Sequence, residues 1–248
     1  MNERQDRIYE IILRTGNATV EQLQSEVYAS PATIRRDLKV MEEEGVISRV
    51  WGGAVVNKSG VDKPVFVRSV ENVEPKKAIA KKALRFISDN DTIFLSSSTT
   101  VEQLCRLLYR YTDLTVITNC LDFVDIIRKS LSFKVFLPAG QLHERHDLVG
   151  PLAVNSIEKF NASVFFFSCS GIDENGFTSN DIERLEIFSA MAKNSVKTVL
   201  LCDCSKVDKV ATYRGFGFDK IDFVIMDKTP KNEQLVKTLG NKLIVCHD

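Results

Sequence analysis

Residues 28–45 read YASPATIRRDLKVMEEEG, and this stretch decides how the first part of the chain folds. Ser30 is a good N-cap, and Pro31 suits the first position of a helix, where its missing N–H costs no hydrogen bond. Apolar residues then recur at i, i+4 and i+7, at Ile34, Leu38 and Met41. The pattern predicts a helix with one apolar stripe that begins after Ser30 and ends before Gly45.

Two further helices are predicted before this one. Residues 4–14 carry isoleucines at helical spacing, at Ile8, Ile11 and Ile12, and Gly16 stops the pattern. Thr19 caps a second, short helix, and Gln22 stands three positions later, which completes a capping-box pair. A short helix that a tight turn joins to the helix after Ser30 is the geometry of a helix-turn-helix.

The start of the third helix suits contact with a DNA groove. Three small side chains there allow close approach, at Ser30, Ala32 and Thr33, and a helix N-terminus favours phosphate. Arg35 and Arg36 lie off the apolar stripe and point about 100 degrees apart. We therefore expect one of them to reach a base edge while the other holds a phosphate.

A hairpin is predicted directly after this helix, because VISRVWGGAVV at 46–56 alternates around a Gly-Gly pair. A hairpin beside a helix-turn-helix is a wing, and we expect Arg49 and Trp51 to lie against the duplex backbone or the minor groove. The predicted DNA contacts are Ser30, Ala32, Thr33, Arg35, Arg36, Arg49 and Trp51.

The charge balance excludes binding of nucleic acid through bulk positive charge, because 33 Lys and Arg residues face 33 Asp and Glu residues. Residues 1–56 are even slightly acidic, with seven basic and nine acidic side chains. Within 30–41, however, three basic side chains accompany one acidic side chain, and three glutamates follow at 42–44. Positive charge is therefore concentrated where the groove would lie.

The sequence predicts a cytoplasmic protein without a membrane segment. The longest uncharged run has thirteen residues, at 160–172, whereas a spanning helix needs about 20. The charged start lacks the apolar core of a signal peptide. The six cysteines should then be reduced and mostly buried. Cys202 and Cys204 form C-x-C, and HERH at 143–146 is not a zinc motif, so we expect no metal and no cofactor.

The segment SPATIRRDLKVMEEEGVISRVWGGA at 30–54 resembles the amino-terminal signature of the DeoR family of bacterial transcription regulators. The resemblance implies that Thr33, Arg35 and Arg36 contact DNA, and that Asp37 orients an arginine through an ion pair. At the wing, Trp51 departs from the histidine that is usual in the family.

Residues 76–248 alternate between short apolar runs, such as TIFL, LTVIT and ASVFFF, and amphipathic stretches such as IERLEIFSAMAKN. This alternation predicts βαβ units and a mainly parallel sheet that is covered on both faces. We therefore predict a winged helix-turn-helix domain at 1–57, a connector at 58–75 whose VFVR segment is a candidate strand, and an α/β effector-sensing domain at 76–248.

Ligands bind such sheets beyond the carboxyl ends of the strands, and polar or glycine residues follow five of the predicted strands. The clearest set is SSSTT at 96–100, whose O–H and N–H groups suit an anion. Together the strand ends predict a site for a phosphorylated small molecule. The candidate residues are Ser97, Ser98, Thr99, Thr100, Asn119, Gly140, Gly171 and Lys206.

Residues 76–227 resemble the sensor domain of DeoR-type regulators in segments such as DTIFLSSSTT, FKVFLPAG and LCDCSK. The resemblance implies a fold related to ribose-5-phosphate isomerase and a sugar phosphate as the effector. Three departures accompany it. The family's D-x-G-T-T is SSSTT here, Ala139 replaces the first residue of a Gly-Gly pair, and Phe188 and Ser189 replace a basic pair.

Three functions follow as hypotheses. The first is a transcriptional regulator, a repressor of a carbohydrate-metabolism operon rather than an enzyme, which binds operator DNA as a homo-oligomer (dimer or tetramer) and responds to a phosphorylated sugar. The second is a sugar-phosphate isomerase or hydrolase, which needs a general base. Glu174 and Asp181 are the candidates, with no proton assigned to either. The third is a DNA-binding protein whose sensor has lost its ligand.

Overall fold

The chain divides into two compact units, residues 1–72 and 73–248. The computed structural model describes residues 3–43, 45–56, 65–129, 132–143 and 146–246. Glu44 of the acidic run and residues 58–64 of the predicted connector lie outside the described residues. The predicted domain limits therefore stay a prediction.

The first unit contains the predicted helix-turn-helix, followed by a hairpin wing. The helices are α1 (Glu3–Thr15), α2 (Val20–Val27) and α3 (Pro31–Glu43). The strands are β1 (Asn17–Thr19), β2 (Ile47–Val50) and β3 (Gly53–Val56). They form an antiparallel sheet in the order β1-β3-β2.

The predicted caps are confirmed in atomic detail. The Oγ1 atom of Thr19 accepts a hydrogen bond from the Gln22 amide at 3.2 Å, and Oε1 of Gln22 accepts one from the Thr19 amide at 2.9 Å. At the start of α3, Oγ of Ser30 accepts a hydrogen bond from the Thr33 amide at 3.2 Å. These bonds satisfy amides that have no partner inside the helix, so the sequence sets both helix starts locally.

The wing sheet contains a strand that the sequence analysis missed. Strand β1 pairs with β3, and a Cβ on Gly53 would lie 2.1 Å from the carbonyl oxygen of Ala18. Gly53 is therefore required by the close approach of the two backbones. Its neighbour Gly52 takes the turn with a φ of +80°. A three-residue strand carries too little periodicity to be detected in advance.

The prediction of a strand at VFVR is wrong, because a helix, α4 (Val65–Val70), forms there. Val70 packs against the core of the first unit, which includes Ile8, Ile12, Leu23, Ile34, Leu38 and Met41. A short apolar run does not distinguish a helix from a strand by its periodicity. The apolar surface available for packing decides between them.

A buried carboxylate joins α3 to α1. Asp37 is 4% exposed. Its Oδ2 accepts a hydrogen bond from Nε of Arg4 at 2.6 Å, and its Oδ1 accepts one from Nε2 of Gln5 at 3.2 Å. The hydrogen bond and the opposite charge raise the pKa of the Arg4 guanidinium. The arginine that Asp37 orients therefore belongs to α1, and it is neither Arg35 nor Arg36.

A seven-stranded parallel sheet forms the centre of the second unit, which confirms the predicted α/β fold. From one edge to the other, its strands are β15 (Leu243–Val245), β14 (Phe223–Met226), β12 (Ser195–Leu201), β9 (Ala162–Phe167), β4 (Thr92–Leu95), β5 (Thr115–Thr118) and β6 (Lys134–Phe136).

Helices cover both faces of this sheet. On one face lie α5 (Val73–Ala83), α6 (Thr99–Cys105) and α7 (Leu121–Ile127). On the other face lie α8 (Pro151–Ile157), α9 (Ile182–Lys193) and α10 (Glu233–Leu239). Successive strand residues serve opposite cores, as Phe165 and Phe166 do. Across the described ranges, no helix combines the length and the apolar character needed to cross a membrane.

Two small antiparallel sheets stand beside the main one. The first pairs β7 (Gln141–His143) with β8 (Asp147–Val149), so the HERH histidines belong to a hairpin. The second contains β10 (Gly171–Asp173), β11 (Gly176–Ser179) and β13 (Tyr213–Arg214). Strands as short as β10 and β11 show no alternation over four or more residues, so the sequence alone does not predict this hairpin.

The strand order reverses between β4 and β9. From β4 the chain builds β5 and β6 on one side, and it then returns to place β9 on the other side of β4. Loops that leave two neighbouring parallel strands in opposite directions open a crevice at their carboxyl ends. The fold therefore puts the crevice beside the SSSTT segment.

We expect Asp37→Ala to lower the free energy of unfolding by about 1–3 kcal/mol, because the buried Gln5 amide loses this acceptor. Urea denaturation followed by circular dichroism measures the change. Lys39→Ala is the matched control on the same helix. It removes an exposed pair with Glu43, whose charged atoms are 3.7 Å apart, and should change stability by about 0.5 kcal/mol or less. Equal denaturation midpoints for the two variants would exclude an anchoring role for Asp37.

Candidate DNA-binding and effector sites

Helix α3 presents its two arginines to solvent while its opposite side is buried. Arg35 and Arg36 are exposed, whereas Ile34, Leu38 and Met41 are buried in the core of the first unit. Within the described part of the chain, neither guanidinium has an ion pair or a hydrogen bond. Both are therefore available to an anion or to a base edge, as the sequence predicted.

The remaining predicted DNA contacts also reach the surface. Ser30 and Ala32 are exposed and Thr33 is half-buried, with the hydroxyls of Ser30 and Thr33 2.9 Å apart. Trp51 at the tip of the wing is fully exposed. The indole therefore has no packing contact with the described residues of its unit. Its placement suits contact with a second molecule.

The wing is fastened to the end of α3, which the sequence analysis did not foresee. Oε1 of Glu42 accepts a hydrogen bond from the Arg49 amide at 2.9 Å, and its Oε2 lies 3.6 Å from the Arg49 guanidinium. In the sequence, Glu42 stands out only as part of the acidic run at 42–44. In the structure it positions the first strand of the wing and partly neutralises Arg49.

In the second unit, three of the predicted effector residues, Ser97, Asn119 and Lys206, make hydrogen bonds at the carboxyl edge of the sheet, and Lys206 does so with Ser168, which was not predicted. The Ser97 amide, after β4, donates to Oδ1 of Asn119, after β5, at 3.3 Å. Across the crevice, Nζ of Lys206, after β12, donates to Oγ of Ser168, after β9, at 2.8 Å. Four neighbouring strand ends thus contribute to one edge, and β4 and β9 lie at its centre.

The hydroxyls of the SSSTT segment play different roles. Oγ of Ser98 caps α6 by accepting a hydrogen bond from the Val101 amide at 3.0 Å. The hydroxyls of Ser96 and Thr100 are buried, and among the described residues they have no hydrogen-bond partner. A buried hydroxyl without a partner is unfavourable. Both hydroxyls are therefore unsatisfied hydrogen-bonding groups beside the end of β4.

Both candidate glycines are explained by packing within the protein. A Cβ on Gly171 would lie 2.0 Å from the carbonyl oxygen of Lys209, and one on Gly140 would lie 2.8 Å from that of Val149. Close approach of two backbones therefore accounts for glycine at each position. No contact with an effector is needed to explain either residue.

A buried ion pair that the sequence does not predict lies near the crevice. Nε of Arg184 lies 2.7 Å from Oδ2 of Asp147, a carboxylate that is fully buried. Asp147 forms an isolated β-bridge with Cys120, just after β5. The pair links α9 to the carboxyl edge of the sheet. Its partners are 37 residues apart in the sequence, so no local signal could have found them.

Phe188, which replaces a basic residue of the family pattern, lies in the hydrophobic core of the second unit. Phe188 is 3% exposed, and its ring centroid lies 6.2 Å from that of Phe165 and 5.4 Å from that of Phe167. This side chain contributes packing under β9 and brings no charge to the crevice. The ammonium of Lys206 lies there, 4.0 Å from Oδ2 of the buried Asp203.

One histidine of HERH meets two carboxylates that the sequence analysis did not connect with it. Nε2 of His143 lies 2.8 Å from Oδ2 of Asp181, and its Nδ1 lies 3.4 Å from Oε2 of Glu183. These three side chains could offer ligands to a cation. The Arg184 guanidinium, however, already lies 3.5 Å from the same Asp181 oxygen, so positive charge is present without a metal.

The two carboxylates considered as general bases are both engaged in structural contacts. Asp181 caps α9, because its Oδ1 accepts a hydrogen bond from the Arg184 amide at 3.1 Å. Oε2 of Glu174 accepts a hydrogen bond from Nδ2 of Asn232 at 3.3 Å. Both side chains therefore already have hydrogen-bonding partners within the protein.

Two family profiles match this chain, one in each of its two units. The profile of the DeoR-like helix-turn-helix domain matches residues 4–60, and that of the DeoR C terminal sensor domain matches residues 71–228. The HTH-type transcriptional regulator GolR of Listeria innocua is 34% identical over 91% of this chain and 90% of its own length. The lactose phosphotransferase system repressor of Staphylococcus epidermidis is 31% identical over 84% of each chain.

Among solved structures, ribose 5-phosphate isomerase A from Methanocaldococcus jannaschii is 14% identical over 55% of each chain, with a TM-score of 0.41. The family itself is established by the two profile matches and by the full-length relatives. This chain, with its winged helix-turn-helix and its parallel α/β sensor domain, belongs to the DeoR family of transcriptional regulators.

Proposed function

We propose that this regulator is a repressor of a carbohydrate-metabolism operon, and that a phosphorylated sugar in the crevice between β4 and β9 modulates its hold on operator DNA. The relative named lactose phosphotransferase system repressor supports the choice of a sugar-related operon. On the DNA side, the proposal rests on Arg35 and Arg36, which stand exposed on a helix that a buried carboxylate holds in place.

The first turn of α3 and the wing would share the work of binding. The Ser30 cap places a helix N-terminus at the surface, which favours a backbone phosphate. One of the two arginines can then read a base edge in the major groove while the other contacts phosphate. Trp51 and Arg49 would contact the duplex at the wing. Two half-sites require at least a dimer, so we propose a homo-oligomer.

On the effector side, the proposal rests on the buried hydroxyls of Ser96 and Thr100. A phosphate or a sugar hydroxyl would supply the hydrogen bonds that these groups lack among the described residues. Lys206 adds a positive charge at the same edge of the sheet, and Asn119 fixes the amide of Ser97. Hydroxyls, amides and one lysine are the usual means of holding a phosphorylated small molecule.

We also propose that the chain is not an enzyme. Its relatives GolR and the lactose phosphotransferase system repressor are named as regulators. The carboxylates that an isomerase mechanism would need, Asp181 and Glu174, serve as a helix cap and as an acceptor for Asn232. The second candidate is a regulator whose sensor no longer binds a ligand. The replacement of a basic residue by the packed Phe188 favours it.

We expect Arg35→Ala to weaken operator binding by about 1–3 kcal/mol and to relax the preference at one base position, if its guanidinium reads a guanine. Mobility shifts on the region upstream of the neighbouring operon, and on its single-base variants, measure both effects. Lys39→Ala changes an exposed cation of the same helix and is the control. Weakening by the same factor on every sequence would place Arg35 on phosphate. Unchanged binding would exclude this interface.

We expect Thr100→Val to reduce the affinity for the sugar phosphate about tenfold or more, because the variant lacks a hydrogen bond to the ligand. Its stability should be unchanged or higher, since no protein partner of the hydroxyl is lost within the described residues. Calorimetric titration with a panel of sugar phosphates measures the affinity. Thr238→Val, on the exposed side of α10, is the matched control.

Two results would count against the effector site. If no sugar phosphate binds the unaltered protein at millimolar concentration, the sensor without a ligand becomes the better description. If a sugar phosphate binds Thr100→Val as tightly as it binds the unaltered protein, the ligand lies elsewhere in the second unit.

A further inference from the structure

Two cysteine thiols face each other at the carboxyl edge of the sheet. The sulfur atoms of Cys169 and Cys202 are 3.7 Å apart. Cys169 follows β9 and Cys202 follows β12, and these neighbouring parallel strands are in register at Phe167 and Leu200. Each cysteine lies two residues beyond that pair. In the sequence, Cys202 stands out only through its C-x-C spacing to Cys204, which does not predict a metal site.

The geometry of neighbouring strands permits a bond between these sulfur atoms. Paired strands lie about 4.8 Å apart, and disulfides join residues whose Cα atoms are about 4.4–6.8 Å apart. Both cysteines stand after the last registered pair between β9 and β12. The Cys202 amide is still held by the Ile225 carbonyl of β14 at 3.0 Å, so the Cys169 side has the greater freedom to move. Closing the gap between the sulfur atoms therefore needs side-chain rotation and a small backbone adjustment.

The surroundings of Cys169 favour its thiolate. The hydrogen bond between the two thiols and the nearby Lys206 ammonium together lower the pKa of Cys169. The other five cysteines, all of which lie in the described ranges, have raised pKa values. Cys169 is also 8% exposed, whereas Cys202 is fully buried. The reactive partner of the pair is therefore Cys169, since the thiolate is the nucleophile in thiol oxidation.

We propose that Cys169 and Cys202 are a redox modification site that forms a reversible disulfide with a peroxide as the oxidant. The Cys169 thiolate attacks one oxygen of hydrogen peroxide. A sulfur–oxygen bond forms, the oxygen–oxygen bond breaks, and the departing hydroxide takes a proton to become water. The sulfur of Cys202 then attacks the resulting sulfenic acid of Cys169. The disulfide forms, the sulfur–oxygen bond breaks, and hydroxide leaves with the Cys202 proton as a second water.

The disulfide would act directly on the edge where the effector is proposed to bind. Ser168, which precedes Cys169, accepts a hydrogen bond from Lys206, which lies four residues after Cys202. Drawing the two sulfur atoms together shifts the backbone at both ends of this contact. We infer that oxidation weakens the response to the sugar phosphate. This consequence, unlike the disulfide itself, rests on the proposed function.

Peroxide titration of the full chain, followed by digestion without reductant and mass spectrometry, tests the disulfide. We expect a crosslinked Cys169–Cys202 peptide that has lost two hydrogen atoms and that dithiothreitol restores. In Cys202→Ser, Cys169 should instead be trapped as a sulfenic acid by dimedone. Cys246→Ser is the control, because Cys246 is more exposed than either member of the pair and should not affect the crosslink.

Oxidation that is confined to Cys204 and Cys246 would overturn the proposal, because it would mean that exposure alone determines reactivity. The same conclusion follows if the peptides of Cys169 and Cys202 stay reduced in the folded protein and react only after unfolding. Both results come from the unaltered chain, so a variant that fails to fold would not obscure them.

Release of operator DNA by the sugar phosphate tests the consequence. We expect the half-releasing concentration to rise about tenfold in the oxidised protein and to return after reduction. A change of less than twofold would exclude control of the effector response by the disulfide. If the reduced protein is not released by any sugar phosphate, the proposed function fails, while the peptide result for the disulfide stands separately.

Discussion

The parallel pairing of β4 with β9 is the constraint on which the second unit depends. Ile93, Phe94 and Leu95 stand in register with Val164, Phe165 and Phe166, and the Ser96 amide continues the ladder to the Phe166 carbonyl at 3.0 Å. Both strands therefore end at the same level, and their chains leave in opposite directions. The backbone of Ser96 is held by the sheet, and its buried hydroxyl has no hydrogen-bond partner among the described residues.

The same constraint brings two kinds of chemistry to one edge. Lys206 contacts Ser168 at the crevice, and its charge also acts on Cys169. Anion recognition and thiol reactivity both require positive charge in a poorly solvated place, so one lysine can serve both. Phe188 stands where the family pattern has a basic residue, so this position carries no charge. Its ring packs against Phe165 and Phe167 of β9 instead. The charges at this edge are therefore Lys206, which lies 4.0 Å from a carboxylate oxygen of Asp203, and the buried pair of Arg184 with Asp147.

The first unit has a different requirement. Helix α3 must be fixed in position while Arg35 and Arg36 remain exposed on its surface. Asp37 meets the first need from the buried side, through Arg4 and Gln5 of α1. Glu42 adds a second attachment, at the other end of α3, through the Arg49 amide of the wing. Two acidic residues of α3, Asp37 and Glu42, thus attach it to the rest of the unit. Arg35 and Arg36 are left free of ion pairs with the residues described.

The amino-acid sequence alone determined the local features of this protein. Side-chain caps at Thr19 and Ser30, the apolar stripe of α3 and the alternation of strands with helices each depend on residues a few positions apart, so they can be recognised without a fold. Only the tertiary structure decided that β1 joins the wing, that VFVR forms a helix, that Arg184 pairs with Asp147, and that Cys169 faces Cys202. These outcomes depend on which distant surfaces meet, and hydrophobic periodicity carries no information about partners tens of residues away.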